Sequence, residues 1–370
     1  MAGIYFHIPF CKRICAYCDF FHSADLRQMT QLAEAMHREM AARCGYLHNR
    51  QIRTLYFGGG TPSLYAPVLL QEFINHARTL YGFDHAEEIT VECNPDDLTE
   101  EYIAQLRATE INRLSIGIQS FDDGCLQLMN RRHTAAEAIE AVHRAQRAGF
   151  ENITIDLIFG ISGFGDEILR RTLDTALSLN VQHISAYHLT IEPSTALGRR
   201  VARGEFAPVS EECSEREFAT VHQTLTAAGY EHYEVSNFAR PGFRARHNSA
   251  YWSGVEYLGI GPGAHSFNGT ERCWCTASVE EYLSCPTYGS ETLSERDHRN
   301  EWVMTALRTA DGIDLHALEA RFGSSECEQL LHDAHPFIAA ATLRHDEGRL
   351  WIPAERFLLS DNIISTLFKL

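Results

Sequence analysis

A chain of 370 residues is too long for one ordinary small domain and matches a barrel of roughly 200 to 250 residues with a smaller appendage. Hydrophobic residues at 45% and charged residues at 22% exclude a disordered or coiled-coil chain. The formal net charge of -17 removes the lysine and arginine footprint that phosphate backbones require, so nucleic acid is not an expected partner.

The chain opens on MAGIYFHIPF, which has neither the basic start, the long apolar stretch nor the small-residue cleavage site of a signal peptide, and no later run reaches 18 apolar residues. A cytoplasmic protein with no transmembrane segment is expected. In that reducing compartment eleven cysteines read as metal ligands or buried thiols rather than as a disulfide framework.

The first predicted strand spans 3–8, and directly after it CKRICAYC sets Cys11, Cys15 and Cys18 at C-x3-C-x2-C spacing. Three thiolates suit a [4Fe-4S] cluster and leave one iron open to an outside ligand. Zinc is the competing reading, but a structural zinc site needs a fourth ligand at finger-like spacing, and only His7 and His22 lie close. Lys12, Arg13 and Asp19 mark the segment as a polar loop rather than a core strand.

Further strands are predicted at 52–57, 88–92, 113–118, 152–159 and 183–190. Amphipathic helices are predicted at 31–43, 136–148 and 167–179, with Gly45 and Gly149 as stops. This βα rhythm suits either a doubly wound sheet or an incomplete barrel. Ligand sites in βα barrels lie at the C-terminal ends of strands. There the second strand ends in Gly58-Gly59-Gly60-Thr61-Pro62, the third in Glu92 and the fourth in Gln119, while the fifth carries Asp156. A lone buried carboxylate is usually a satisfied structural group; three polar groups at equivalent places suggest a shared ligand.

Beyond about residue 230 the rhythm fails. One more strand is predicted at 231–238, then a polar and aromatic loop through Trp252 and a glycine-rich stretch at 259–263. Cys273, Cys275 and Cys285 lack a fourth ligand and a recognisable spacing, and with Cys44, Cys93, Cys125, Cys213 and Cys327 they read as structural. From Ser294 the pattern becomes helix, turn at Gly312, helix, then short strands at 349–352 and 356–359, a winged-helix-like α+β unit. DNA binding by that unit is excluded on charge, since residues 291–370 hold 14 Asp or Glu against 8 Lys or Arg.

The cysteine loop closing the first strand of a βα array resembles the signature of the radical S-adenosylmethionine (SAM) superfamily. That resemblance implies a partial TIM-type (β/α)6 barrel, with SAM chelating the open iron through its amino and carboxylate groups. Within the superfamily IYFHIPFCKRICAYCDF, YFGGGTP, VECNP, RLSIGIQSF, IDLIFG and ISAYHLTIEP resemble oxygen-independent coproporphyrinogen III oxidases and their close relatives, the HemW-type heme chaperones. Carried over by position, the resemblance implies that Tyr5 and Tyr17 approach SAM and that Gly59, Gly60 and Thr61 contact its amino group. Arg131 would pair with its carboxylate through a bidentate fork, and Glu92, Gln119, Asp156 and Ala186 would complete the pocket.

Three features favour the chaperones over the oxidases. The oxidases carry a further cysteine two positions past the third ligand, where this chain has Phe20, and a longer N-terminal extension before the first strand. HNSAYW, His247-Asn248-Ser249-Ala250-Tyr251-Trp252, resembles the chaperones' HNxxYW motif, which is associated with heme. A histidine is a known type of heme ligand, and Tyr251 and Trp252 offer flat faces to a porphyrin. His265 is a second candidate ligand. Ser162, where relatives usually have proline, alters only a loop. The implied protein carries heme to a membrane or hemoprotein acceptor whose identity the sequence does not give. Its three parts are a radical SAM barrel at 1–235, a connecting segment at 236–290 and a C-terminal HemW/HemN-like domain at 291–370. The rival is the oxidase itself, a radical SAM enzyme decarboxylating porphyrinogen propionates.

Overall fold

The computed structural model describes residues 1–369. Six strands run in parallel order: β1 (Ala2–Ile8), β2 (Ile52–Gly59), β3 (Glu88–Cys93), β4 (Arg113–Gln119), β5 (Ile153–Phe159) and β6 (His183–His188). Each is buried along nearly its whole length, as expected when helices cover one face of a parallel array and its own side chains fill the other. The incomplete-barrel alternative is the one the chain adopts.

The outer layer comprises α1 (Met29–Ala42), α2 (Pro67–Tyr81), α3 (Glu100–Arg107), α5 (Ala135–Arg147), α6 (Gly165–Ser178) and α8 (Glu211–Ala227), while the short α4 (Asp123–Leu128) and α7 (Ala196–Ala202) pack in a second cluster with Tyr17, Ile158 and Leu189. Helix α5 starts on a capping box of Thr134 and Glu137 and stops where Gly149 takes φ 88°. Helix α1 ends at Ala42, short of the expected stop at Gly45.

The expected single strand at 231–238 is a hairpin, β7 (Glu231–Glu234) and β8 (Asn237–Ala239), antiparallel on the edge of β6. The expected loop through Trp252 contains a helix, α9 (Arg246–Trp252). Its first N–H groups are satisfied from far away: the buried carboxylate of Glu88, at the start of β3, accepts from Arg246 N and His247 N, both at 2.9 Å.

The sheet then continues through β9 (Glu256–Ile260), parallel to β1, and the antiparallel β10 (His265–Phe267), β11 (Glu271–Cys275) and β12 (Tyr288–Thr292), with α10 (Val279–Ser284) between the last two. Glu39 of α1 fastens this extension. Its buried carboxylate accepts from Arg43, Gly261 N, Tyr282 and Tyr288.

The C-terminal unit is α11 (Glu295–Leu307), β13 (Ile313–Asp314), α12 (Leu315–Phe322), α13 (Ser324–Ala339), β14 (Arg344–Asp346), β15 (Arg349–Trp351) and α14 (Ser360–Thr366). Its three strands form a separate sheet in the order β13, β15, β14. The strand expected at 356–359 lies in a 3-10 helix, Ala354–Leu359; Pro353 has no N–H to continue a ladder, and β15 pairs backward onto β14.

Candidate functional site

The mouth of the barrel is a cavity of about 450 Å³ at the C-terminal ends of β2 to β6, and the cysteine loop forms one wall. The loop is pinned at both ends and in the middle. Cys11 N donates to Ser23 O at 2.9 Å and Ser23 N to Pro9 O at 2.8 Å, while Ala16 N donates to Met129 O and Ala16 O accepts from Leu197 N. Asn130 Nδ2 holds the Ile14 carbonyl at 2.7 Å. Cys11, Cys15 and Cys18 are half-buried and unbridged, and all three line the cavity.

Burial pushes the Cys18 thiol up to about 11 and raises Cys11, the Thr61 hydroxyl partly offsetting the latter. Among the described residues no three His, Cys, Asp or Glu converge to hold one ion. Three half-buried, unbridged thiols on one cavity wall fit the three protein ligands of a [4Fe-4S] cluster.

The other wall explains the glycines. A Cβ on Gly60 would lie 2.6 Å from the Pro9 carbonyl carbon and oxygen, and Gly59 takes φ 110° with its Cβ position 2.8 Å from the His7 ring. Only glycine lets this turn lie against the end of β1. Thr61 then donates to Cys11 Sγ at 3.5 Å and accepts from Asn94 Nδ2 at 3.2 Å. Arg131 reaches in from beyond α4, donating to Cys15 Sγ at 3.2 Å and Asn94 Oδ1 at 2.6 Å, and its buried Nε has no protein partner among the described residues. An unmatched guanidinium nitrogen inside a cavity is a prepared anchor for an anionic group.

Two carboxylates form the cavity's base. Glu92 accepts from Tyr56 OH at 2.7 Å and Gly59 N at 3.1 Å, yet burial raises it to about 7. Burial likewise raises Asp156 to about 6, against the pull of Ser185 and Arg113. A positive charge brought into the cavity would favour the ionised form of both. Gln119, ending β4, sits at φ 73°, a strained conformation for a non-glycine residue and one that clusters at ligand sites.

Of the residues expected around SAM, Tyr17, Gly59, Gly60, Thr61, Glu92, Gln119, Arg131 and Asp156 line this one cavity. Tyr5 and Ala186 do not. Tyr5 lies beneath it, bonded to His7 Nδ1 at 3.1 Å, and Ala186 is covered while its neighbour Tyr187 faces the opening. Asn94 and Tyr187 also line the cavity; they stand inside the VECNP and ISAYHLTIEP motifs, beside Glu92 and Ala186, without having been singled out as site residues.

HNSAYW lies elsewhere, at the N-terminal floor of the barrel. The His247 ring is 2% exposed, with Nδ1 2.8 Å from Thr54 Oγ1 and Nε2 2.9 Å from Tyr251 OH, and it stacks on Tyr56. Both nitrogens are engaged, so in this fold His247 offers none to an iron. Asn248, Tyr251 and Trp252 are only partly covered. His265 is exposed and stacked on Trp274.

Residues 5–176 match the Radical SAM superfamily and 293–359 the HemN C-terminal domain. The heme chaperone HemW of Lactococcus lactis is 34% identical over 363 residues, spanning 97% of this chain and 95% of that protein. The chain belongs to the HemW family of radical SAM proteins. HemW of Mycobacterium tuberculosis is also 34% identical, over 99% of this chain and 94% of its own. Among solved structures, the coproporphyrinogen III oxidase of Escherichia coli superposes with a TM-score of 0.85 over 100% of this chain and 90% of that one, at 22% identity. That likeness carries the fold alone. Family membership makes a [4Fe-4S] cluster and SAM the cofactors, and the donors in the cavity fit both.

Proposed function

We propose that this protein is a heme chaperone of the cytoplasm: it takes up heme as cargo and passes it to an acceptor, a membrane or another hemoprotein. The observation that carries this reading is the near full-length relation to heme chaperone HemW proteins. Phe20, standing where the oxidases have a fourth cysteine, supports the same side. No helix among the described residues is long and apolar enough to cross a membrane, so a membrane acceptor would be met at a surface.

In this reading Cys11, Cys15 and Cys18 hold the cluster. Tyr17, Gly59, Gly60, Thr61, Glu92, Gln119, Arg131 and Asp156 surround SAM: Arg131 pairs with its carboxylate, and Glu92 and Asp156 face its positive charges. When bound, the cluster supplies an electron and an open iron site. The protein's own residues orient SAM. The division at 235 and 290 is part of the same proposal. It is supported by the separate three-stranded sheet of the last part, whereas β9 pairs with β1 and makes the middle part an extension of the barrel sheet.

The test uses anaerobically reconstituted protein. A saturable shift of the heme Soret band, without conversion of coproporphyrinogen III in the presence of SAM and reductant, is expected. Formation of protoporphyrinogen would overturn the chaperone reading.

A further inference from the structure

The chaperone reading needs a protein ligand for heme iron, and His247 is sealed into the barrel floor. We propose that heme sits across the barrel mouth with His22 as its axial ligand, a site that rests on the chaperone reading. His22 Nδ1 lies 2.6 Å from the carbonyl of Phe20. A carbonyl only accepts, so Nδ1 carries the proton and Nε2 keeps its lone pair. Nε2 has no hydrogen-bond partner among the described residues, and the residue lines the cavity. A ring held by Nδ1–H on a backbone carbonyl with a free Nε2 is how metal-binding histidines are prepared.

The surroundings match the rest of the molecule. Among the described residues seven large hydrophobic side chains are exposed, and three stand at this opening: Phe20 at 73%, Tyr187 at 41% and Ile14 at 40%. Apolar side chains gathered and left in water at one cleft mark a surface waiting for an apolar partner, and here the partner is a flat macrocycle. Heme also carries two propionates, and exposed Arg13 on the same rim supplies a cation for them. The neighbouring acid Asp19 is held by Ser194 Oγ. Heme seated there lies over the SAM cavity and covers it.

Heme titrations of the reconstituted wild type and of His22→Ala, His247→Ala and Phe20→Ser test the site by Soret absorption and ferric-heme EPR. Acid-labile sulfide is measured in each sample to show that the cluster is retained. His22→Ala is expected to weaken binding at least tenfold and lose the histidine-ligated spectrum, and added imidazole to restore that spectrum. Phe20→Ser weakens binding without changing the ligand signature, and folded His247→Ala keeps wild-type spectra. Wild-type affinity and spectra in His22→Ala, with loss of both in His247→Ala, would overturn the proposal while sparing the chaperone reading. No saturable binding by the wild type would overturn both. His22→Gln repeats the measurement if the alanine variant loses its cluster.

Discussion

Glu92 is the residue whose chemistry is most exposed to measurement. Burial raises it to about 7, so the folded apoprotein holds a proton there that the unfolded chain releases at lower pH. The native state binds the extra proton between the usual carboxylate range and pH 7. This group's contribution to apoprotein stability is therefore full at the acid end and is lost as pH rises through 7. A cationic ligand needs the ionised form, so SAM affinity is expected to fall roughly tenfold between pH 8 and pH 6, read by isothermal calorimetry. Glu92→Gln should flatten that profile, weaken SAM at pH 8 and raise the apoprotein's thermal midpoint at pH 8 by a few degrees; a lower midpoint would contradict the assignment of cause. The carboxylate was legible in the sequence as a polar end to an apolar strand. Its partner Tyr56 was not, because a tyrosine inside an apolar run reads as core until the barrel turns it inward.

At the level of elements, the six parallel strands were legible because burial on both faces forces unbroken apolar runs. Helix α9 was not, because its cap is the carboxylate of Glu88, 158 residues upstream of Arg246. Local patterns report local partners. Glu88→Ala strips two N–H groups of their acceptor and leaves buried Arg113 without its nearby carboxylate. A loss of about 2–3 kcal/mol in urea unfolding is expected, with a red shift of tryptophan emission as Trp252 loosens. Gly60→Ala acts at the opposite end of the barrel. Its Cβ meets Pro9 backbone, which cannot yield cheaply, so the cysteine wall is displaced. Cluster content should fall severalfold while far-ultraviolet circular dichroism stays near wild type. The 3-10 helix at the expected last strand and the hairpin at 231–238 were missed for a shared reason: short apolar stretches take their conformation from the edge they dock on.

Across the whole molecule, the C-terminal unit closes an edge. Val235 N donates to Arg308 O and Ala310 N to Tyr233 O, so this unit takes up backbone groups of β7, the edge strand of the main sheet, and of the residue just after it. A chain ending at residue 292 should expose that edge and associate, seen as a rise in light scattering at micromolar concentration, whereas the full chain should not. The other side of the sheet raises a question of time rather than of stability. Strand β1 pairs with β9, from Ala2 against Glu256 to Phe6 against Ile260, so one flank of the first strand waits for a partner about 250 residues later. At translation rates of roughly 5 to 20 residues per second, that flank emerges from the ribosome on the order of tens of seconds before its neighbour exists. The nascent barrel spends that interval with its oldest strand unshielded, so the protein that would shelter a reactive cargo must first be sheltered during its own synthesis.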